Sequence, residues 1–404
     1  MRLLSRSGSL SGLLLLASAC TTQAVETTAG QRAQAPAYVA KLERLVPQLL
    51  ADEKAAGVGV AVIRDGAVEW TGYYGEQSPG VPASQRTAFN TASVAKTITA
   101  ETLLALDAKG LIDLDEPVAP YVAHATLAGD ARYAMLTARM LLSHRAGLLN
   151  WAYAYPDGKL AFDHDPDTRF SYSGAGVELA ARYAEAKTGK SLQALAAEHV
   201  LAPLGMDDVS LGDIPAWADG RMATPMDASG AYRVAAEINP NLAPGGGDRI
   251  GASDDLIVTV PAYARLIAKL TSVDGLGDAR QKGERETIVT SLASDPVYAC
   301  PRLDELTCPD QHGHSVGWQV YRYGEHTVLK HSGSDAGENA LVYASPDARH
   351  GAVIFVNGAN GWVIMTRIVE AIGDEPLIAD YYRGLIQTVM GRPMPPLSPM
   401  IAEQ

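Results

Sequence analysis

The spacing of hydrophobic residues predicts strands near both ends of the chain. Segments 58–63 (VGVAVI) and 67–75 (AVEWTGYYG) are apolar runs joined by Arg64-Asp65-Gly66. An Asp-Gly pair between two such runs predicts a β-hairpin. Four more strand patterns lie close together near the other end of the chain, at 315–324, 326–333, 338–346 and 351–358.

Between these strands the apolar residues mostly recur at helical spacing. Helices are predicted at 138–149, 174–189, 191–205 and 252–270, the last with Ser253 as its cap, and at 35–57, 361–373 and 376–390 toward the ends. The order predicts an α/β fold of three layers, α/β/α, whose antiparallel sheet comes from both ends of the chain, plus an inserted all-helical domain. A site is expected in the cleft between the two parts.

The predicted boundaries follow from this order. The sheet subdomain covers 37–92 and 300–390, the helical subdomain covers 93–299, and a loose tail covers 391–404. The chain contains 33 Lys and Arg against 46 Asp and Glu, a net charge of −13, with no basic run. Nucleic acid is therefore excluded as an expected partner, because its binding needs a basic surface.

The first residues predict export rather than a folded element. Residues 1–19 have a basic start and a short apolar run, as in a signal peptide, and residues 20–36 form a flexible tether. Small residues directly before Cys20 predict its lipidation, although Ala17-Ser18-Ala19 also fits ordinary secretion. A lipid anchor would place the protein in a bacterial cell envelope facing the periplasm, and Thr21 favours the outer membrane.

The two other cysteines are consistent with an oxidising compartment. Cys300 and Cys308 are predicted to form a disulfide, and the alternative is a pair of free thiols in a surface loop.

Candidate chemistry begins in residues 88–110, AFNTASVAKTITAETLLALDAKG, which predict a helix capped by Thr91. Ser93 and Lys96 are three residues apart, so their side chains can meet on one face of the helix. The motif alone is weak. Tyr172 lies directly before a predicted helix, and His331 lies at the end of a predicted strand.

The ordered set of Ser-x-x-Lys (93–96), Tyr-Ser-Gly (172–174) and His-Ser-Gly (331–333) resembles the penicillin-recognising serine hydrolases. The most similar branch contains class C β-lactamases, D-Ala-D-Ala carboxypeptidases and β-lactamase-like esterases. The stretches LLSHRAGL (141–148), with His144 as a structural residue, and APGGGDRIGASDDL (243–256) are also similar to that family.

The resemblance implies a covalent acyl-enzyme on Ser93 and no metal or cofactor. Lys96 and Tyr172 would transfer protons, in an order left open, with burial lowering the pKa of Lys96. The backbone N–H groups of Ser93 and Ser334 would form the oxyanion hole. Substrate contacts are expected at the residues that complete the motifs, namely Ser173, Gly174, His331, Ser332 and Gly333.

Two departures from the family pattern bear on substrate. Gly174 stands where many relatives have an asparagine that holds an acylamino group, and His331 stands where most class C β-lactamases have lysine. These changes favour an ester, or a small amide or peptide, over a β-lactam. A D-Ala-D-Ala carboxypeptidase or a class C-like β-lactamase is the alternative. A catalytically silent lipoprotein that binds envelope peptides or peptidoglycan is the non-enzyme alternative.

Overall fold

The structure is a computed structural model that describes residues 35–233, 251–301, 303, 306–335 and 337–397. The predicted signal peptide, Cys20 and residues 243–250 of the glycine-rich stretch lie outside these residues. No helix in the described ranges has both the length and the apolar character needed to cross a membrane.

Two antiparallel sheets organise the described residues. The larger has nine strands in the order β3-β2-β1-β12-β11-β10-β9-β8-β7, and the smaller has three in the order β4-β6-β5. The strands are β1 Gly57–Arg64, β2 Ala67–Ser78, β3 Val81–Pro82, β4 Ala88–Asn90, β5 Val209–Leu211, β6 Leu256–Thr259, β7 Thr290–Ser291, β8 Gln311–His314, β9 Gln319–Tyr323, β10 His326–Asp335, β11 Glu338–Ser345 and β12 His350–Asn357. Strands from both ends of the chain therefore meet where β1 pairs with β12, as the sequence predicted.

Helices cover both faces of the large sheet. The α-helices of the described residues, including those of the inserted segment, are α1 Ala37–Asp52, α2 Ala95–Ala108, α3 Ala138–Leu142, α4 Gly174–Thr188, α5 Leu192–Ala196, α6 Ala202–Leu204, α7 Val260–Leu270, α8 Ala279–Glu286, α9 Gly361–Ile372 and α10 Pro376–Val389. Helix α9 packs between α1 and α10 and contacts β11 and β12, whereas α7 contacts β1, β2 and β12 on the opposite face. The predicted α/β/α layers are confirmed.

Alternation along β1 explains why the sheet has two apolar faces. Val58, Val60 and Val62 belong to the core under α1 and α9, while Ala61 and Ile63 belong to the core on the α7 side. Side chains of a strand point to opposite faces in turn, so a strand between two helical layers must be apolar throughout. The predicted hairpin is also confirmed, since β1 pairs with β2.

The inserted segment contains strands as well as helices. The helix predicted at 252–270 begins only at Val260, where the Thr259 side chain accepts a hydrogen bond from the N–H of Ala262. Residues 256–259 form β6 instead and pair with β4 and β5. Ser253 is therefore not a helix cap, and the helix predicted at 138–149 ends already at Leu142.

The two subdomain boundaries predicted in the last third of the chain, at residues 300 and 391, differ from the structure. The large sheet begins again at Thr290, ten residues before the predicted position. Residues 391–397 of the predicted loose tail are fixed at Met394, which is buried and whose carbonyl accepts a hydrogen bond from Arg383 Nε, while most of the segment is exposed. The predicted disulfide between Cys300 and Cys308 is present, with the two Cα atoms 5.8 Å apart.

Candidate active site

A sharp turn presents Ser93 at the start of a buried helix. Strand β4 ends at Asn90, and Ala92 has a left-handed φ of 49°, which a non-glycine residue adopts at some cost in energy. Asn90 Oδ1 accepts a hydrogen bond from the N–H of Ala92 and holds this turn. A 3₁₀ turn, Ala92–Val94, then leads into α2, so Ser93 remains partly accessible at its start.

Lys96 is held against Ser93 by two hydrogen bonds. Its Nζ donates to Ser93 Oγ at 3.0 Å and to the carbonyl of Ser253 at 2.6 Å. Ser253 is fixed in turn, because its N–H and Oγ both donate to Glu178 Oε1, at 3.1 and 2.9 Å. Lys96, Ser253 and Glu178 are all buried, so the amine has little freedom to turn away.

Tyr172 lies on the other side of this pair. Lys96 Nζ is 4.9 Å from the centre of its ring. Burial raises the pKa of the Tyr172 phenol above its ordinary value, and hydrogen bonding to Ser93 opposes this only in part. The phenol is therefore protonated at neutral pH.

Three buried histidines line the region behind Tyr172. The ring of His144 is 4.4 Å from that of Tyr172 and 4.6 Å from that of His314, and His331 follows at 6.3 Å from His314. Burial lowers the pKa of His314 to about 4, and it lowers the pKa values of His144 and His331 well below the usual value. The charge of Lys96 lowers all three pKa values further. All three imidazoles are therefore neutral at pH 7.

Strand β10 passes beside the turn that contains Ser93. A Cβ on Gly333 would lie 2.0 Å from the carbonyl oxygen of Thr91 and 2.9 Å from the backbone nitrogen of Ser93, so only glycine allows this approach. Strand β9 pairs with β10 only as far as Lys330. Beyond Lys330 the edge of β10 has no pairing with β9. Ser334 is exposed on this edge and directly follows Gly333, which lies against the backbone of Ser93.

This arrangement of Ser93, Lys96, Tyr172 and β10 agrees with comparison to known proteins. The sequence model of the family described as beta-lactamase matches residues 42–368. The chain belongs to the β-lactamase family. The expected resemblance to the penicillin-recognising serine hydrolases is thereby confirmed.

Individual members of the family are only distantly similar. A Homo sapiens protein described as putative beta-lactamase-like 1 is 25% identical over 345 residues, 79% of this chain and 64% of that protein. The chain thus spans less than two thirds of that relative. Among solved structures, the octameric penicillin-binding protein homologue from Pyrococcus abyssi has a TM-score of 0.66 at 20% identity, covering 88% of this chain and 80% of that one. A D-amino acid amidase from Ochrobactrum anthropi SV3, complexed with L-phenylalanine amide, has a TM-score of 0.64 at 19% identity, covering 84% and 100%. These likenesses confirm the fold.

In this member of the β-lactamase family, two side chains that were predicted to bind substrate make hydrogen bonds to other groups of the protein. Ser173 Oγ accepts a hydrogen bond from the N–H of Gly176 and donates one to the carbonyl of Leu149, which makes it the N-cap of α4. Ser332 Oγ accepts a hydrogen bond from Lys330 Nζ at 3.1 Å. The expected side-chain contacts of Ser173 and Ser332 with substrate are therefore not supported by the structure.

Ser332 and Lys330 lie on the face of β10 opposite His331. Lys330 Nζ also donates to Gln319 Oε1 at 2.7 Å and lies 5.0 Å from the centre of the Tyr382 ring in α10. Burial lowers the pKa of Lys330 to about 7. This lysine is adjacent to His331 in sequence, but the sheet separates it from Ser93 because neighbouring residues of a strand face opposite sides.

Trp151 occupies the space beside Gly174. A Cβ on Gly174 would lie 2.5 Å from Trp151 Cζ2, and the N–H of Gly174 donates to Asn150 Oδ1 at 2.8 Å. The φ of Gly174 lies outside the left-handed region. The glycine is thus required by the indole next to it and not by its backbone conformation.

Sequence reasoning missed several residues that shape the site. Glu178 and Ser253 hold Lys96, Trp151 lies beside Gly174, and Ala92 forms the turn before Ser93. Only Glu178 gave a usable signal, since an acidic residue among the apolar positions of a predicted helix indicates a buried polar contact. The contacts of Ser253 and Trp151 are with distant segments, and the local turn at Ala92 has no residue type that signals it.

Proposed function

We propose that this protein is an exported serine hydrolase that cleaves an ester, or a small amide or peptide, through an acyl-enzyme on Ser93. The observation that supports this best is the position of Ser93 Oγ, which is 3.0 Å from Lys96 Nζ and close enough to the Tyr172 hydroxyl to lower the pKa of that phenol. A serine hydroxyl needs a neighbouring base to act as a nucleophile at neutral pH. Because two groups that can transfer protons lie next to one serine, the arrangement favours an enzyme over a binding protein without catalytic activity.

In the proposed reaction Ser93 Oγ forms a bond to the substrate carbonyl carbon. The proton of Ser93 passes to the Lys96–Tyr172 pair and then to the leaving alcohol or amine as its bond to carbon breaks. Because the phenol is protonated at neutral pH, Tyr172 is suited to donate to the leaving group. The backbone N–H groups of Ser93 and Ser334 would stabilise the negative charge on the carbonyl oxygen. Water then hydrolyses the acyl-enzyme.

The substrate preference rests on His331 and Trp151. His331 is neutral at pH 7, so it provides no positive charge for a substrate carboxylate of the kind that β-lactams and peptidoglycan peptides present. Trp151 fills the place where an asparagine side chain would extend from position 174. Both features favour uncharged esters and amides. The D-amino acid amidase with the same fold supports amides as a second substrate class.

A panel of substrates tests the proposal directly. Purified protein is assayed with short-chain p-nitrophenyl esters, D- and L-amino acid amides, a D-Ala-D-Ala peptide and nitrocefin. We expect kcat/KM to be highest for the neutral esters or amides and lowest for the two substrates with a free carboxylate. Faster turnover of nitrocefin or of the D-Ala-D-Ala peptide would favour the β-lactamase or carboxypeptidase alternative.

The role of Trp151 gives a second prediction. Gly174→Asn alone should lower stability, because its Cβ would contact the indole at 2.5 Å. Gly174→Asn combined with Trp151→Ala should raise amide activity relative to ester activity by about 2- to 12-fold, since one hydrogen bond is worth about 0.5–1.5 kcal/mol. Trp151→Ala alone is the control. A folded double variant whose amide-to-ester ratio equals that of the control would show that position 174 does not select the substrate.

We also propose that the protein is exported and lipidated at Cys20. The disulfide between Cys300 and Cys308 supports an oxidising compartment, because such bonds are rare in the reducing cytosol of bacteria. Cys20→Ala should release the protein from membranes, and Cys300 and Cys308 should resist alkylation until reduced. Membrane association that survives the substitution would contradict lipidation. Rapid alkylation without a reductant would contradict export.

A further inference from the structure

Three side chains with metal-binding atoms meet at the end of the sheet remote from Ser93. His326 Nε2 lies 3.0 Å from Glu375 Oε1, and His350 Nε2 lies 2.7 Å from the same oxygen. All three ligand atoms lie within 4.8 Å of one another. We propose that His326, His350 and Glu375 form a site for a divalent transition metal, with Zn²⁺ as the best match.

The donor set and its dimensions fit zinc. Two imidazole nitrogens and one carboxylate oxygen are ligands that Zn²⁺ takes at about 2.0–2.2 Å in tetrahedral geometry, which puts neighbouring ligand atoms roughly 3.3 Å apart. Two of the three atom pairs are 2.7 and 3.0 Å apart, so each would open by a few tenths of an ångström, and all three atoms lie within 4.8 Å of one another. A water molecule would complete the tetrahedron.

The surrounding groups hold the ligands as in known metal sites. His326 Nδ1 lies 2.7 Å from Asp347 Oδ2, and the N–H of Thr327 donates to Asp347 Oδ1 at 3.2 Å. A carboxylate that accepts the Nδ1–H of a histidine leaves its Nε2 lone pair available for a metal. The Ser345 hydroxyl donates to Glu375 Oε1 and restricts the carboxylate further.

Burial and access are also suitable. The Glu375 side chain is only 1% exposed, whereas that of His326 is 26% exposed. A buried carboxylate needs a cationic partner, and an ion can reach it from the solvent side past His326. Without metal the same atoms form a cluster in which both histidines contact the Glu375 carboxylate. That cluster is the alternative to be tested.

The proposed metal would fasten separate elements together. His326 begins β10, His350 begins β12, and Glu375 directly precedes α10. Ser334 is eight residues further along β10, a distance of about 26 Å in an extended strand. The metal would therefore stabilise the fold and take no part in the hydrolysis, so this inference is independent of the proposed function. No short sequence motif indicates this metal site, because successive ligands are 24 and 25 residues apart in sequence.

The test uses full-length protein treated with a chelator and then titrated with Zn²⁺ alone. We expect one Zn²⁺ per chain by calorimetry and a rise in Tm with added Zn²⁺. Co²⁺ should bind with the visible absorption typical of tetrahedral nitrogen and oxygen ligands. His350→Gln should weaken Zn²⁺ binding by more than about 100-fold, because loss of a supporting outer group such as Asp347 already costs about 10- to 100-fold.

Matched variants make the outcome decisive. Asp347→Asn should weaken binding less than His350→Gln, and His124→Gln, a partly buried histidine elsewhere, should leave it unchanged. The Tm of zinc-free His350→Gln shows whether that variant folds. Absence of Zn²⁺ binding to wild-type protein would overturn the proposal and leave an ion-pair cluster. Equal binding by wild type and folded His350→Gln would also overturn it, because the metal would then lie elsewhere.

Discussion

Ser93→Ala is expected to abolish turnover and covalent labelling while the protein stays folded. Only one oxygen is lost, and the partly accessible Ser93 side chain contributes little to the core. Loss of a catalytic nucleophile lowers kcat by at least about 1,000-fold in enzymes whose catalytic groups act as a unit. The measurement is kcat on the best substrate of the panel, together with mass spectrometry after a fluorophosphonate reagent.

The control for this variant is Ser229→Ala, which removes a hydroxyl from an exposed turn. It should retain turnover and should be labelled like the wild type. An unchanged Tm shows that Ser93→Ala is folded. Wild-type turnover in folded Ser93→Ala protein would refute the acyl-enzyme mechanism, whatever substrate is used.

Arg285→Met is expected to lower the free energy of unfolding by about 3–5 kcal/mol, the usual result of removing one partner of a buried ion pair. Arg285 and Glu101 have side chains only 2% and 1% exposed, and Arg285 Nε and Nη2 both donate to the Glu101 carboxylate. Trp318 Nε1 donates to the same carboxylate at 3.0 Å. The substitution leaves Glu101 charged and buried, with that indole as its remaining partner in this cluster. Urea denaturation at pH 7 measures the loss.

Two further variants separate burial from charge. Lys190→Ala removes a partner of Glu198 in an ion pair whose side chains are about half exposed, and it should change the unfolding free energy by less than about 1 kcal/mol. Glu101→Gln added to Arg285→Met should recover part of the loss, because no unpaired charge remains buried. A loss below about 1 kcal/mol in Arg285→Met would show that Glu101 is neutralised or solvated in that variant.

The parts of the fold predicted correctly are those that local sequence determines. The hairpin of β1 and β2 needs only two apolar runs and the Asp-Gly turn, where Asp65 and Gly66 have φ of 51° and 75°. The contact between Ser93 and Lys96 needs only the spacing of a helical turn. Helices α4, α9 and α10 begin and end within one residue of their predicted limits, whereas α1 ends at Asp52, five residues before its predicted end.

The parts predicted wrongly depend on distant partners. Residues 256–259 are mostly β-branched and mostly apolar, and they form β6 because β4 and β5 lie on either side of them. Thr91 makes no capping hydrogen bond, because the chain turns sharply at Ala92 before the helix starts. The neighbour of Gly174 could not be predicted, since Trp151 reaches it only through tertiary packing. The contact of Lys330 with Ser332 is local, because residues two apart in a strand share a face, but it was not predicted.

Helix α2 is almost entirely enclosed, with 11 of its 14 residues buried, Lys96 among them. Amide protons in such a helix exchange with deuterium only when the whole protein unfolds, whereas those of exposed loops exchange through local opening. The scaffold behind Ser93 therefore belongs to the most slowly exchanging part of the molecule. Denaturant concentrations too low to unfold the chain should thus leave labelling of Ser93 unchanged, even after the peripheral loops have begun to exchange.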